Sequence, residues 1–285
     1  MYTTLISADQ LQHLLRGHKP CMVFDCSFEL MKPAEGDQQY ERVHIAGAVR
    51  ADLDRHLSAK DATQAVNGGR HPLPRRELLA AWLASVGFTA DMQAVVYDRQ
   101  GANYCGRLWW MLKWVGHEAV AVLDGGLQAW EAIDGAVATG PDGARASSSF
   151  QASEPRAVLA SSDDVLKHLD LPDQTLVDAR APARFRGEVE PLDPVAGHIP
   201  GALNRPFSLN FGPDGRFKPA AQLKAEFLEL LAGRNPHSVV HQCGSGVSAV
   251  PNLLAMEIAG LGRTTLYAGS WSEWCSNPAR PMAQG

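Results

Sequence analysis

The segment that decides the fold is residues 239–249, with the sequence VVHQCGSGVSA. It begins with an apolar run that is typical of a short buried strand and that ends at Cys243. A glycine-rich turn follows, and an apolar stretch over residues 247–258 predicts a helix. This order places a thiol at the carboxyl end of a strand and at the N-terminus of a helix.

A cysteine in that position is favoured as a thiolate. Backbone N–H groups at a helix N-terminus have no intrahelical partner, and the helix dipole adds partial positive charge, so the pKa of a thiol there falls below its ordinary value. The alternative is a buried structural cysteine, which is the commoner role of an isolated cysteine. Gly244 and Gly246 favour the reactive role, because a backbone that wraps around a reactive atom needs several glycines.

Composition describes a soluble globular chain and argues against several functions. The 285 residues are enough for two domains, and the hydrophobic and charged fractions are 45% and 20%. A net charge of −5 provides no basic surface, so nucleic acid is not an expected partner. No apolar run approaches the ~18 residues of a membrane span, and the first residues lack the pattern of a signal peptide. We therefore expect no membrane partner and a cytoplasmic location.

The five cysteines predict neither a disulfide framework nor a metal site. Their number is odd, and no CxxC pair or His/Cys cluster has the spacing of zinc ligands. Reduced thiols are typical of the cytoplasm. We expect no metal and no organic cofactor. Four cysteines are interpreted as structural or incidental: Cys21, Cys26, Cys105 and Cys275.

The two halves of the chain repeat each other. Residues 95–98 match residues 239–242, 144 positions later, and the same distance carries three further residues onto their copies: Gly116 onto Gly260, Gly125 onto Gly269 and Trp130 onto Trp274. Residues 44–48 (HIAGA) likewise match residues 198–202 (HIPGA). The order is kept and the period is too long for a solenoid, so the sequence predicts two sibling domains.

Each half alternates short apolar runs with amphipathic stretches, which predicts an α/β fold of two tandem domains, each a mainly parallel sheet flanked by helices. The predicted strands are 22–24, 94–97, 120–123, 175–177, 238–241 and 264–267. The predicted helices are 75–86, 107–114, 165–169, 222–231 and 247–258. We place the first domain at 1–140, a linker rich in Gly, Pro and Ser at 141–152, and the second domain at 153–285.

These patterns resemble the tandem-domain rhodaneses, which comprise thiosulfate and 3-mercaptopyruvate sulfurtransferases. The matching blocks are the loop 243–249, the two HIxGA blocks, and the segments 123–130 (LDGGLQAW) and 267–274 (YAGSWSEW). The resemblance implies two similar α/β domains, one active site at their interface in the second domain, and a persulfide on Cys243. In the alignment of the halves Arg99 stands opposite Cys243, so the first domain is a copy without the thiol.

Within the family, the loop sequence separates two donor subgroups. Thiosulfate enzymes usually place basic side chains after the cysteine, whereas here Gly244 and Ser245 follow it, a pattern similar to the mercaptopyruvate enzymes. The resemblance implies that Ser245 works with a histidine and an aspartate of the first half, which match His71 and Asp54. It also implies that Arg184 holds the substrate carboxylate.

The chain departs from the mercaptopyruvate subgroup in one place. Those enzymes usually carry a second substrate arginine after the acidic stretch, but residues 190–193 (EPLD) contain none. Arg186 or Arg205 could replace it, or the donor could differ.

We predict that Cys243 is the nucleophile and that backbone N–H groups of its loop stabilise the thiolate and the persulfide. Ser245 and His71 would pass a proton to the departing enolate, with Asp54 orienting the imidazole. The persulfide then gives its sulfur to a thiol or to cyanide. The expected partners are therefore a small-molecule sulfur donor and one of these acceptors, and the oligomeric state is left open. The loop N–H groups that we expect to stabilise the sulfur include those of Gly244, Gly246, Val247 and Ser248.

Several alternatives stay open. Thiosulfate could be the preferred donor, with the same Cys243. A cysteine phosphatase would need an arginine six residues after the cysteine to hold phosphate, where this chain has Ala249. A non-catalytic binding module fits the first half better than the second.

The local sequence alone suggests other roles for three of the predicted site residues. His71 is typical of an exposed loop, Asp54 of a turn former, and Arg184 of a partner to an internal carboxylate. The resemblance favours the active-site roles.

Overall fold

A computed structural model describes residues 1–17, 19–141 and 143–285. The chain divides into two units. The first consists of Met1–Ala59, Pro74–Arg156 and Pro213–Phe217, and the second of Lys60–Leu73, Ala157–Gly212 and Lys218–Gly285. Each unit therefore includes a short segment from the other half of the sequence. The predicted linker 141–152 includes Asp142, which lies outside the described residues.

The first unit is built on a parallel sheet. Its strands are β1 (Leu5–Ile6), β2 (Cys21–Asp25), β3 (His44–Ile45), β4 (Val49–Arg50), β5 (Gln93–Tyr97), β6 (Val120–Leu123) and β7 (Val137–Ala138). Its helices are α1 (Ala8–Arg16), α2 (Glu35–Arg42), α3 (Arg76–Ser85), α4 (Cys105–Trp114) and α5 (Gly126–Glu131). Five strands form the sheet in the order β1-β6-β5-β2-β4, all parallel, while β3 and β7 form an antiparallel pair.

The second unit repeats this plan. Its strands are β8 (Val158–Ala160), β9 (Thr175–Asp178), β10 (Leu203–Asn204), β11 (Val239–Gln242) and β12 (Thr265–Tyr267). Its α-helices are α6 (Ser162–Lys167), α7 (Pro182–Phe185), α8 (Ala220–Leu231), α9 (Val250–Ile258) and α10 (Ser270–Trp274). The strand order β10-β9-β11-β12-β8, again all parallel, is that of the first sheet with each strand replaced by its counterpart. The sequence repeat is therefore a repeat of the fold.

The central strand of each sheet is buried along its whole length. All residues of β5 and of β11 are buried, as expected for strands of a parallel sheet covered by helices on both faces. The apolar residues of these strands, such as the Val-Val pair in each, made the central strands recognisable in the sequence. The predicted α/β class and the mainly parallel sheets are confirmed.

The two largest differences from the predicted helix bounds, at the starts of α9 and α6, have local reasons. Helix α9 begins at Val250 rather than at residue 247, because residues 247–249 belong to the turn and Pro251 occupies the first helical turn. Helix α6 covers Ser162–Lys167 rather than 165–169, because Ser161 and Asp164 form a capping box that starts it earlier. Within the described part of the chain, no helix combines the length and apolar character needed to cross a bilayer.

Candidate active site

Cys243 directly follows β11, the central strand of the second sheet. In open α/β sheets of parallel strands, ligands bind outside the carboxyl ends of the strands, which is where the chain leaves the sheet at this cysteine. The residue is 2% exposed and its thiol is free. The structure thus places Cys243 between a strand and α9, as the sequence predicts.

The turn after Cys243 is held against the N-terminus of α10. The backbone N–H of Cys243 donates to Oγ of Ser270 at 3.0 Å. In return, the N–H groups of Trp271 and Ser272 donate to the carbonyl oxygens of Cys243 and Gly244, at 3.0 and 2.9 Å. These bonds fix the backbone on both sides of the thiol.

Gly246 gives the turn its tight conformation. Its φ is +73°, and a β-carbon built there would lie 2.2 Å from the carbonyl oxygen of Ala268, so a side chain does not fit. Within the described residues, four backbone N–H groups of this turn donate no hydrogen bond. They belong to Gly244, Ser245, Val247 and Ser248. Free N–H groups that follow each other in a turn form an anion-binding concavity.

The corresponding turn of the first unit follows β5 and contains an anion. The carboxylate of Asp98 accepts four backbone hydrogen bonds of 2.8 to 3.1 Å, from Gln100, Ala102, Tyr104 and Cys105. Ala102, with a φ of +59°, is the counterpart of Gly246, so both turns share the left-handed residue. In the second unit Gln242 replaces Asp98, which leaves its N–H groups available to another anion.

His71 and Ser245 meet in the second unit. Nδ1 of His71 and Oγ of Ser245 are 2.8 Å apart, and both residues are buried, at 4% and 7% exposure. The exposed-loop role that the local sequence suggested for His71 is therefore wrong. The segment Lys60–Leu73, which carries His71, is part of the second unit although it comes from the first half of the sequence.

Two contacts with α10 position this segment. The N–H of Gly68 donates to Oε1 of Glu273 at 2.8 Å, and the N–H of Arg70 donates to Oγ of Ser272 at 3.0 Å. Because Ser272 also binds the backbone of the cysteine turn, α10 holds both His71 and the turn. This shared support fixes the spacing between the imidazole and the turn.

Arg184, on α7, lies beside the cysteine turn. A β-carbon built on Gly244 would be 3.5 Å from its Nη1. Its Nη2 donates to Oε1 of Glu190 at 2.7 Å and to Oδ2 of Asp193 at 3.2 Å. The internal carboxylate partners considered for Arg184 therefore exist, and they orient its guanidinium while Nη1 faces the turn.

Arg70 lies on the same side of the turn, and sequence analysis did not single it out. Its Nη2 would be 3.1 Å from a β-carbon on Gly244, and its Nη1 donates to Oδ1 of Asp193 at 2.6 Å. Burial raises the pKa of Asp193, although Arg70 and Arg184 act in the opposite direction. In the sequence, the position of Arg70 directly before His71 was a signal that could have identified it.

The arginines considered as substitutes for the missing one are engaged elsewhere. Arg186 is exposed and pairs with Glu188, which raises the pKa of this arginine. Arg205 is buried, pairs with Glu226 and stacks over the ring of Phe227.

Asp54 belongs to the first unit, after β4. Its backbone N–H donates to Oδ1 of Asp52 at 3.0 Å, and Asp52 also pairs with Arg50. The turn-forming role considered for Asp54 thus falls to Asp52. The grouping of Asp54 with Ser245 and His71 stays a prediction.

The other cysteines are held as neutral thiols. Burial raises the pKa of Cys21 to about 12 and also raises the pKa values of Cys26, Cys105 and Cys275. A thiol with a raised pKa is a poor nucleophile at neutral pH. Among the described residues, no group of three or more His, Cys, Asp or Glu side chains could hold a metal ion.

Comparison with known proteins settles the family. The sequence profile of the Rhodanese-like domain matches residues 7–133 and again residues 161–277. This chain belongs to the rhodanese family. Each match begins directly after the first strand of one parallel sheet and covers its other four strands, so the two rhodanese domains account for the repeat.

Relatives align along nearly the whole rhodanese chain. A Pseudomonas aeruginosa protein named as a probable 3-mercaptopyruvate sulfurtransferase is 45% identical over 285 residues, covering 99% of this chain and 98% of the relative. A Mycobacterium tuberculosis protein with a provisional name as a thiosulfate sulfurtransferase, SseB, is 37% identical, covering 99% and 97%. The crystal structure of SseA from Escherichia coli, described as a 3-mercaptopyruvate sulfotransferase, has a TM-score of 0.77 at 32% identity, covering 95% of this chain and all of that one.

Proposed function

We propose that this protein is a 3-mercaptopyruvate sulfurtransferase that carries the sulfur as a persulfide on Cys243. The observation that carries the proposal is the hydrogen bond of 2.8 Å between His71 and Ser245, beside a cysteine turn with free N–H groups. The mercaptopyruvate reaction needs a proton donor next to the thiol as well as a nucleophile. The named relatives and the absence of basic residues immediately after Cys243 support the same donor.

In the first half-reaction the Cys243 thiolate attacks the sulfur of 3-mercaptopyruvate. A sulfur–sulfur bond forms, the carbon–sulfur bond breaks, and its electron pair stays on the carbon as the enolate of pyruvate. Ser245, hydrogen-bonded to His71, delivers the proton that turns the enolate into pyruvate, and Asp54 orients the imidazole. Arg184 binds the donor's carboxylate.

In the second half-reaction the outer sulfur passes to a thiol or to cyanide. The acceptor attacks that sulfur, the sulfur–sulfur bond breaks, and the Cys243 thiolate is regenerated, in a ping-pong scheme. Throughout, the turn's N–H groups stabilise the negative charge on sulfur, much as an oxyanion hole does. The groups concerned are the free N–H groups of Gly244, Ser245, Val247 and Ser248, while Gly246 gives the turn its tight conformation. A catalytic thiol must stay reduced, which supports a cytoplasmic location. The partners of the proposed reaction are the small-molecule sulfur donor and the acceptor.

Thiosulfate is the second candidate donor. The two guanidinium groups beside Gly244, from Arg70 and Arg184, suit any small anion, and one relative is named for thiosulfate. When thiosulfate is the donor, the leaving group is sulfite, which needs no proton. The pair of His71 and Ser245 would then have no role in proton transfer. That difference favours mercaptopyruvate.

The test is the intact mass of the protein, stripped with cyanide, after brief exposure to each donor. We expect the wild type to gain one sulfur atom from 3-mercaptopyruvate much faster than from thiosulfate. Cys243→Ser should gain none, and the matched control Cys105→Ser should behave as the wild type. A faster gain from thiosulfate would assign the protein to that donor, and no gain from either would remove the proposed activity.

A further inference from the structure

Two guanidinium groups face the residue that follows Cys243. A β-carbon on Gly244 would lie 3.1 Å from Nη2 of Arg70 and 3.5 Å from Nη1 of Arg184. A side chain there would crowd the guanidinium group of Arg70 and contact that of Arg184. Glycine therefore keeps open a space that is bordered by the turn and by two fixed positive charges.

Asp193 links the two arginines. Its Oδ1 accepts from Nη1 of Arg70 at 2.6 Å and its Oδ2 from Nη2 of Arg184 at 3.2 Å. One carboxylate thus helps to orient both guanidinium groups, much as outer-shell groups orient the ligands of a metal.

Donor groups of Arg70 are left over for a ligand. Its Nε is buried without a partner, and within the described residues Nη2 has no hydrogen bond. Buried donors without partners are costly, and such a group in a native structure indicates a ligand or water that completes it. A planar fork with adjacent free N–H groups matches a carboxylate.

We propose that Arg70 is a specificity-determining residue that, together with Arg184, binds the carboxylate of the sulfur donor. This inference rests on the proposed function and names the group that supplies the second positive charge absent from residues 190–193. Arg186 and Arg205 do not fill that role, since each is committed to a carboxylate of its own. Arg70 precedes His71, so one short segment brings both the anion grip and the proton-relay histidine to the thiol.

The test compares donors with and without a carboxylate. The probes are 3-mercaptopyruvate and mercaptoacetone, in which a methyl group replaces the carboxylate. For Arg70→Gln we expect kcat/KM with 3-mercaptopyruvate to fall roughly 10- to 100-fold, mostly through KM, because a charge-assisted hydrogen bond is lost. With mercaptoacetone we expect a change of less than about twofold, because the grip has no partner on that donor. Arg70→Lys keeps the charge without the fork and should lie in between.

Controls separate this effect from misfolding and from failure of the proposed function. The matched control Arg234→Gln removes an exposed arginine at another surface and should match the wild type with both probes. Equal losses of Arg70→Gln on both donors, or no loss on either, would overturn the role of Arg70 and leave the proposed function standing. If kcat/KM with 3-mercaptopyruvate fell for Arg186→Gln but not for Arg70→Gln, carboxylate binding would be assigned to Arg186 and the role of Arg70 would be overturned. A wild type that takes no sulfur from 3-mercaptopyruvate would end the proposed function, and the inference with it.

Discussion

Ser245 and His71 are 174 positions apart in the chain, yet their side chains share a buried hydrogen bond. If this pair protonates the enolate, Ser245→Ala should lower kcat/KM with 3-mercaptopyruvate by roughly 10²- to 10⁴-fold, the usual contribution of a general acid. Turnover with thiosulfate should change little, because sulfite leaves without a proton. Steady-state rates with both donors measure this, with the exposed Ser276→Ala as control. Equal losses for the two donors would contradict the division of labour.

At this scale the sequence predicted those residues whose neighbours in the chain carry a pattern. The position of Cys243 between a strand and a glycine turn could be predicted from local physics, and the roles proposed for Ser245 and Arg184 could be taken from the resemblance. Arg70 could not, because its position depends on how Lys60–Leu73 folds onto α10 through contacts with Ser272 and Glu273. No local periodicity encodes those long-range contacts.

The strand β11 contains a buried titratable residue, His241, two positions before Cys243. Burial, and to a smaller extent the charge of Arg205, lower the pKa of His241 to about 3. Since the unfolded chain protonates near pH 6.5, His241 leaves the folded state fully stable above that pH, and this stability is lost as pH falls toward 3. The loss amounts to at most about 1.4 kcal/mol per pH unit.

Replacing His241 should therefore flatten the pH dependence of stability. For His241→Leu we expect the decline in the free energy of unfolding between pH 6 and pH 4 to be shallower than in the wild type, because the group that takes up the proton on unfolding is gone. Chemical denaturation across this range measures the slope, with the exposed His13→Leu as control. An unchanged slope would show that His241 titrates normally. His56, whose pKa burial lowers to about 4, keeps its own contribution in all variants.

Among elements, the long apolar strands were predictable and the short ones were not. β2, β5 and β11 contain runs of buried residues, whereas β4 and β10 have only two residues each and no detectable period. The short strands form because a parallel neighbour offers hydrogen-bond partners, which is a tertiary cause. The start of α9 moved for a similar reason, since residues 247–249 are used by the turn.

For the whole molecule, the repeat makes a prediction about the half without a thiol. Arg99→Cys, made in the Cys243→Ser background, would place a cysteine at the position aligned with the nucleophile. We expect no gain of sulfur from 3-mercaptopyruvate, because Asp98 already occupies the N–H groups and its charge would raise the pKa of the new thiol. Intact mass measures this, with the Cys243→Ser protein as baseline. Sulfur uptake by the variant would show that the carboxylate does not block the turn.

The architecture of the whole molecule was predictable because the same sequence pattern occurs in both halves of the chain. The fold class and the two copies follow from the internal repeats, and the family from the resemblance of the matching blocks, which the family profile confirms. The exchange of short segments between the units was not, because the apolar content of Lys60–Leu73 and Pro213–Phe217 does not say which sheet they join.

The two turns differ in whether their anion changes during the proposed catalytic cycle. In the first unit the carboxylate of Asp98 at the centre of the turn is part of the covalent chain and never leaves it. In the cycle proposed for the second unit, the anion is the Cys243 sulfur, and its outer atom changes position when the persulfide forms and when its sulfur is given away. The second turn should therefore readjust to its anion in each catalytic cycle, while its counterpart in the first unit keeps the same partner throughout.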